Sequence, residues 1–308
     1  MPGKPVRLSV AIASAAVLLG AVACMPEDVG TAAPTPGAAV PTAAVPTDGT
    51  TGGAGDGGTA DGGATAGVPS KAPNGRLYVL VTSDDGVGSE GLEAIVHGLI
   101  TLSDVNLQIV APAANQSGTG GKTTDGPVNY TKSDASNGTP VTEVNGYPAD
   151  AVNVALDDLG MKPDLVVAGI HEGQSLGPDV DESGTIGAAR AAAQRGIPAL
   201  AVSLGLGDTY DYGPAVKQAL TWISTNRADL LARSASSTRQ TMVFNLNVPN
   251  CFAGGTVRGP REVDTEKEVP DPSIARQPQT CTSTSTPGDE VASFNAGYAT
   301  LTRLYAGP

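Results

Sequence analysis

The chain has 308 residues, with 18 Lys and Arg against 31 Asp and Glu, a formal charge of −13. So acidic a chain repels phosphate backbones, which argues against binding to a nucleic-acid duplex. Aromatic residues make up only 4% while Gly numbers 40 and Pro 24, so part of the chain is low-complexity spacer rather than core.

Lys4 and Arg7 precede an apolar run from Leu8 to Val22 that ends at Ala21-Val22-Ala23-Cys24. A positive start, an apolar middle and small residues before a cut are the parts of a secretory signal, here residues 1–23. With Cys directly after the small residues, the segment resembles a bacterial lipoprotein signal. That resemblance implies lipidation of Cys24 and a lipid anchor at the cell membrane. Ala21-Val22-Ala23 also suits ordinary signal peptidase, which would make the protein secreted; either route is extracytoplasmic. Residues 24–73 are Ala, Thr, Pro and Gly with scattered acids and no periodicity. They cannot bury enough apolar surface to offset their ordering entropy, so a disordered tether is expected. It would hold a globular domain, residues 74–308, away from the membrane or cell wall. Cys251 and Cys281 remain, an even pair in an oxidising compartment, expected as a disulfide. Metal binding by the pair lacks an accompanying CxxC or His cluster.

The globular part alternates strands and helices. Leu77-Tyr78-Val79-Leu80-Val81 is a continuous apolar run that predicts a buried parallel strand. Leu92, Ile95, Val96 and Leu99 then fall at helical spacing. Strands are predicted at 107–110, 165–168, 198–204 and 242–246. Helices are predicted at 149–159, with Pro148 suited to the first position, at 186–194 and at 215–231. This order implies βαβ units, hence an α/β fold in three layers: a mostly parallel, Rossmann-like sheet with helices on both faces. Ligands of such folds sit beyond the carboxyl ends of the strands, so the following loops are the place for chemistry.

Three of those loops stand out. After the first strand, Ser83-Asp84-Asp85-Gly86 offers two adjacent carboxylates to a hard cation, although Asp-Gly also serves as an ordinary turn. After the second, Ser117 offers a hydroxyl in a polar loop. After the third, the Gly-rich run holding His171, Gly173, Ser175 and Gly177 can bring backbone N–H groups to an anion. It leads into Ser183-Gly184-Thr185 at the start of a helix, which is either a phosphate site or simple capping.

In order and spacing, Ser83-Asp84-Asp85-Gly86-Val87, Ala111-Pro112 with Ser117-Gly118, and Gly169-Ile170-x-x-Gly173-x-x-x-Gly177-x-Asp179-Val180 followed by Ser183-Gly184-Thr185 resemble the SurE survival-protein family. Tyr147-Pro148-Ala149-Asp150, Ala199-Leu200-Ala201-Val202-Ser203, Asn245-Leu246-Asn247-Val248-Pro249 and Gly297-Tyr298-Ala299-Thr300-Leu301-Thr302 match as well, so the resemblance spans about residues 76–304. It implies a metal-dependent 5'/3'-nucleotidase acting on nucleoside monophosphates. It places metal ligands on Asp84, Asp85 and Ser117, with Asp84 and Asp85 catalytic. It places phosphate contacts on Gly173, Ser175, Gly177, Ser183, Gly184 and Thr185. The family's fourth ligand, an Asn after Gly-Ile, is His171 here; its second Asn is Ser175, and its Tyr before Ser-Gly-Thr is Glu182.

A neutral imidazole is a competent but softer ligand than an amide carbonyl. The expected cofactor is therefore a divalent cation, Mg or Mn, with Co or Zn favoured further by His171. The plainer reading of His171 is a loop hydrogen bond. A second function reading, a lipoprotein that binds a phosphorylated ligand without turning it over, follows from the changes at 171, 175 and 182. The resemblance also implies a homodimer that exchanges an extended hairpin. Residues 254–288, however, are polar, Pro-rich and bracketed by the two Cys, so the assembly does not carry over.

Overall fold

The structure is a computed structural model that describes residues 75–307 apart from 136–137, 234–240, 253 and 270. The expected signal, Cys24 and the tether lie outside the described residues. Among the described residues no helix is long and apolar enough to cross a membrane.

The elements follow the predicted alternation. β1 (Leu77–Thr82) leads to α1 (Glu90–Ile100) and β2 (Val105–Pro112), then to a hairpin of β3 (Tyr130–Asp134) and β4 (Pro140–Val144). Next come α2 (Pro148–Asn153), β5 (Leu165–Glu172), α3 (Gly184–Gln194), β6 (Ala199–Leu204), α4 (Gly213–Arg233) and β7 (Met242–Val248). The chain closes with β8 (Arg258–Glu262), α5 (Glu290–Asn295) and β9 (Tyr298–Tyr305). They form one nine-stranded sheet in the order β3-β4-β2-β1-β5-β6-β7-β9-β8. The six central strands are mutually parallel; β3 and β9 run antiparallel to β4 and β7.

The period of two along β1 divides the core. Leu77, Val79 and Val81 pack with Leu92, Ile95 and Leu99 of α1 and with Ala215, Ala219 and Ile223 of α4. Tyr78 and Leu80 face the other way, onto Val152 of α2 and Ile186 and Ala189 of α3. Both faces are thus covered, which is why the strand reads as a continuous apolar run rather than an alternating one. Full burial of each such Leu or Val is worth about 1.5–3 kcal/mol.

One detail departs from expectation. The predicted helix at 149–159 is α2 followed by a single π-helical turn, Val154–Asp158. The Asp150 carboxylate accepts the Tyr147 N–H at 2.9 Å, closing the first turn of α2. In line with the sequence reading, the described residues of 254–288 form no extended hairpin: they supply the edge strand β8 and a short 3-10 turn, Pro272–Arg276. The two cysteines are bonded, Cys251 to Cys281, with Cα atoms 5.6 Å apart across a separation of 30 residues.

The topology fixes where a ligand sits. β1 and β5 are neighbours, yet β1 continues into α1 on one face and β5 into α3 on the other. The connections diverge and leave a crevice beyond the carboxyl ends of these two strands.

Candidate active site

The turn after β1 fills that crevice. Asp84 is buried, 1% exposed. Its Oδ1 accepts the Thr185 hydroxyl at 2.7 Å. Asp85 Oδ1 accepts the Ser117 hydroxyl at 3.1 Å, and its Oδ2 accepts the Glu172 N–H at 3.1 Å. His171, near the end of β5, brings Nδ1 to 3.0 Å from Asp85 Oδ1 and 3.3 Å from Asp84 Oδ1. One ligand atom from each of Asp84, Asp85 and His171 lies within 4.8 Å of the others, a spacing that one cation spans. The structure therefore brings Asp84, Asp85, Ser117 and His171 to one corner.

The corner fits a divalent metal. Asp84 Oδ2 is buried and has no hydrogen-bond partner. A carboxylate oxygen left so is costly, and a cation would satisfy it. Carboxylate, hydroxyl and imidazole donors suit a hard to borderline ion. His171 sits between the two carboxylates. Burial lowers its basicity, but hydrogen bonds and charge from Asp84 and Asp85 prevail and push its pKa up to about 10. Burial likewise opposes ionisation of Asp84; the hydrogen bond and charge from His171, with the Thr185 hydroxyl, hold it below the usual carboxylate range.

Helix α3 begins against this corner. A Cβ on Gly184 would lie 2.8 Å from Asp84 Cβ, so only Gly lets the helix start this close. The Gly184 and Thr185 N–H groups have no acceptor among the described residues, as expected of a first helical turn. They point a partial positive charge at the corner. Ser183 caps the helix, its Oγ accepting the Ile186 N–H at 3.3 Å.

The Gly-rich loop turns its backbone inward at the positions named for phosphate. Its backbone was expected to hold phosphate through Gly173, Ser175 and Gly177, but these N–H groups are engaged inward. Gly173 donates to Leu204 O at 2.8 Å, Ser175 to Asn247 Oδ1 at 2.7 Å, and Gly177 to Glu290 Oε2 at 3.1 Å. The Ser175 hydroxyl is buried too, 2.9 Å from Ser183 Oγ. The Thr185 hydroxyl serves Asp84 rather than an outside anion. These loop groups thus support the fold, while the N–H groups of Gly184 and Thr185 have no acceptor among the described residues.

Several site residues carried no assigned role in the sequence. Asn115 Oδ1 accepts the Ser117 N–H at 2.9 Å and so fixes the Ser117 loop. Asn245 and Asn247 both donate to Ser175 O, at 2.9 and 3.1 Å. Two alternate Asn residues within an apolar parallel strand were the available signal, since buried amides demand partners. The Tyr212 hydroxyl donates to the Glu172 carboxylate beside the corner, and Tyr210 stacks on Tyr212 with ring centroids 6.0 Å apart. Glu290 is fully buried, and burial pushes its carboxyl up to about 7. Glu182 is exposed, with its carbonyl accepting the Gly120 N–H at 2.9 Å.

A doubly wound sheet with acidic and imidazole side chains gathered at its switch point is an arrangement seen in metal-assisted α/β proteins. Comparison narrows the class. The survival protein SurE family matches residues 79–268, and the chain belongs to that family. Curated relatives named 5'-nucleotidase SurE include one from Desulfatibacillum aliphaticivorans, 38% identical over 56% of this chain and 66% of its own. Another, from Polaromonas naphthalenivorans, is 36% identical over 58% of this chain and 67% of its own. The chain thus spans about two thirds of the length of these relatives. A crystal structure of a SurE protein from Aquifex aeolicus shares the fold, with a TM-score of 0.58 at 24% identity, covering 75% of this chain and 94% of that one.

Proposed function

We propose that the protein is an extracytoplasmic, metal-dependent phosphomonoesterase that releases phosphate from nucleoside 5'- or 3'-monophosphates. The cluster of Asp84, Asp85 and His171, with one ligand atom from each within 4.8 Å of the others and Asp84 Oδ2 buried without a partner among the described residues, carries this reading. Family membership and the relatives' printed name support the nucleotide as substrate. Asp84, Asp85, Ser117 and His171 hold a divalent ion, Mg or Mn, or Co or Zn through the imidazole. When bound, the ion supplies Lewis acidity toward the phosphate. The Gly184 and Thr185 N–H groups orient the phosphate oxygens at the start of α3. Asp85, less buried than Asp84, is the carboxylate placed to take a proton from the attacking water. The lipid on Cys24 and the tether at 24–73 keep the domain outside the membrane; the mass of the mature N-terminus checks this anchor.

The test is phosphate release from a panel of nucleoside monophosphates, in EDTA and then with Mg, Mn, Co or Zn restored. Metal-restored turnover is expected. Absence of turnover with every metal in a folded protein overturns the enzyme.

A second reading is a ligand-binding lipoprotein. His171 held as an imidazolium between the two carboxylates favours it, because that charge already fills the cation's place. Under this reading calorimetry detects nucleotide binding without metal, and no phosphate is released.

A further inference from the structure

Next to the metal corner, beyond the carboxyl ends of β6 and β7, lies a cleft of about 790 Å³ lined by Leu206, Asp208, Asn250, Phe252, Arg276 and Gln279, among others. Its volume is within the range of small-molecule sites, roughly 300–1,000 Å³. It adjoins the corner. A Cβ on Gly173 would lie 3.2 Å from His171 Nε2 and 3.6 Å from Leu206 Cδ2, so the wall of the cleft and the metal-facing imidazole are separated by one glycine. We propose that this cleft is the base subsite, in which the Phe252 ring stacks against the nucleobase of a mononucleotide whose phosphate sits at the corner. The inference rests on the phosphomonoesterase reading and names the part of the substrate that reading leaves open.

Three observations carry it. Phe252 is 62% exposed and Leu206 45%, and these two of the few exposed large apolar side chains share this one cleft. Apolar surface gathered in a concave site marks a ligand's place more than scattered exposure does. The walls are also preorganised. Asn250 donates from Nδ2 to Thr209 O at 2.8 Å and from its backbone N–H to Gln279 Oε1 at 3.1 Å, tying the loop after β6 to the two segments that carry Phe252 and Gln279. The Cys251–Cys281 disulfide clamps the same two segments one residue from Phe252 and two from Gln279. Holding the backbone on either side of Phe252 lowers the cost of ordering this wall on binding. Finally, the charges set the direction of the substrate. Asp208 sits in the cleft, and Arg276 is drawn to Asp179 at 3.4 Å. The cleft therefore does not attract a phosphate, whereas an uncharged base with a π face suits it.

The test compares kcat/KM for a purine nucleoside monophosphate and for ribose 5-phosphate, which has the same phosphate and sugar without a base. Metal-loaded wild-type protein and Phe252→Ala and Phe252→Trp variants are used. Base stacking on an aromatic is worth about tenfold or more, so Phe252→Ala is expected to cut the nucleotide-to-ribose-phosphate ratio about tenfold, while Phe252→Trp keeps it. A wild-type ratio of one, or equal losses for both substrates in Phe252→Ala, overturns the subsite. If no substrate is turned over, the phosphomonoesterase reading fails separately. Calorimetry with the nucleoside alone then decides the subsite: wild-type binding weakened about tenfold by Phe252→Ala supports it, and no binding, or binding unchanged by the substitution, overturns it.

Discussion

The corner at β1 and β5 and the Gly-rich loop beside it are both dense in polar residues, yet their polar atoms face opposite ways. At the corner, among the described residues, Asp84 Oδ2 is buried without a partner and the first N–H groups of α3 lack acceptors. In the loop, the N–H groups of Gly173, Ser175 and Gly177 each find an internal acceptor. Buried polar groups left unpaired are rare because they are costly, so where they gather a ligand is the natural partner. The contrast lies in the backbone: the loop's N–H groups are engaged, whereas those at the start of α3 face the corner.

The largest expected effect breaks the corner. Asp84→Asn and Asp85→Asn each remove a negative charge from the cation site. Loss of a metal's charge stabilisation is worth several kcal/mol, so each variant is expected to lose about a thousandfold in phosphate release at fixed metal. Far-ultraviolet circular dichroism should be unchanged, since both amides keep the side-chain volume. Turnover within tenfold of wild type would show that the corner is not the catalytic site.

The next effect sharpens the opposite half of the comparison. Glu290 lies under the loop, its Oε2 accepting the N–H groups of Gly177 and Glu266 at 3.1 and 3.0 Å. Burial raises its pKa from 4.5 to about 7, partly offset by those two N–H groups, with Glu266 adding repulsion. Between these values the folded protein keeps a proton that the unfolded chain has released. Stability from this group therefore falls as pH rises from 4.5 to 7, by about 3 kcal/mol at most. Urea melts of wild type and Glu290→Gln across this window check it. The wild type is expected to lose stability relative to the variant, whose amide oxygen keeps an acceptor without a charge. If Glu290→Gln instead costs as much turnover as the Asp variants, the loop is part of the catalytic site.

Five of the six parallel strands were legible because each holds an apolar run, while β4 (Pro-Val-Thr-Glu-Val) mixes polar and apolar residues and was missed. The edges were missed too. β3 (Tyr-Thr-Lys-Ser-Asp) and β8 (Arg-Gly-Pro-Arg-Glu) are polar and largely solvent-facing, so neither shows the burial that marks a strand in sequence. The loop's inward turn was illegible for another reason. Its acceptors come from Asn247 and Glu290, 72 and 113 residues away from the N–H groups they receive, and a local motif carries no record of such partners. Asp84, Asp85, Ser117 and His171 were grouped through the family resemblance; Asp84 and Asp85 follow β1, Ser117 lies in the loop after β2 and His171 near the end of β5, so the parallel topology brings them to one edge. Phe252 escaped notice because a lone aromatic in a loop has no spacing to betray it.

His171 is where the two halves of the comparison meet, since its ring serves as either ligand or counter-ion. In the metal-free site Asp84 and Asp85 raise its pKa to about 10, above the opposing effect of burial. A metal binding through this imidazole must displace that proton. Below pH 10 the apparent affinity should then rise with pH, by about tenfold per unit where one proton leaves for each ion bound. His171→Asn removes the proton and supplies an amide oxygen, so its affinity should stay level from pH 6 to 8 and its preference should move from Mn, Co or Zn toward Mg. Competition titrations of each ion at those two pH values measure both effects. A level profile in the wild type would mean that the ring stands aside from the metal. Its contact with the carboxylates would then be structural, and Asp84, Asp85 and Ser117 would hold the ion alone.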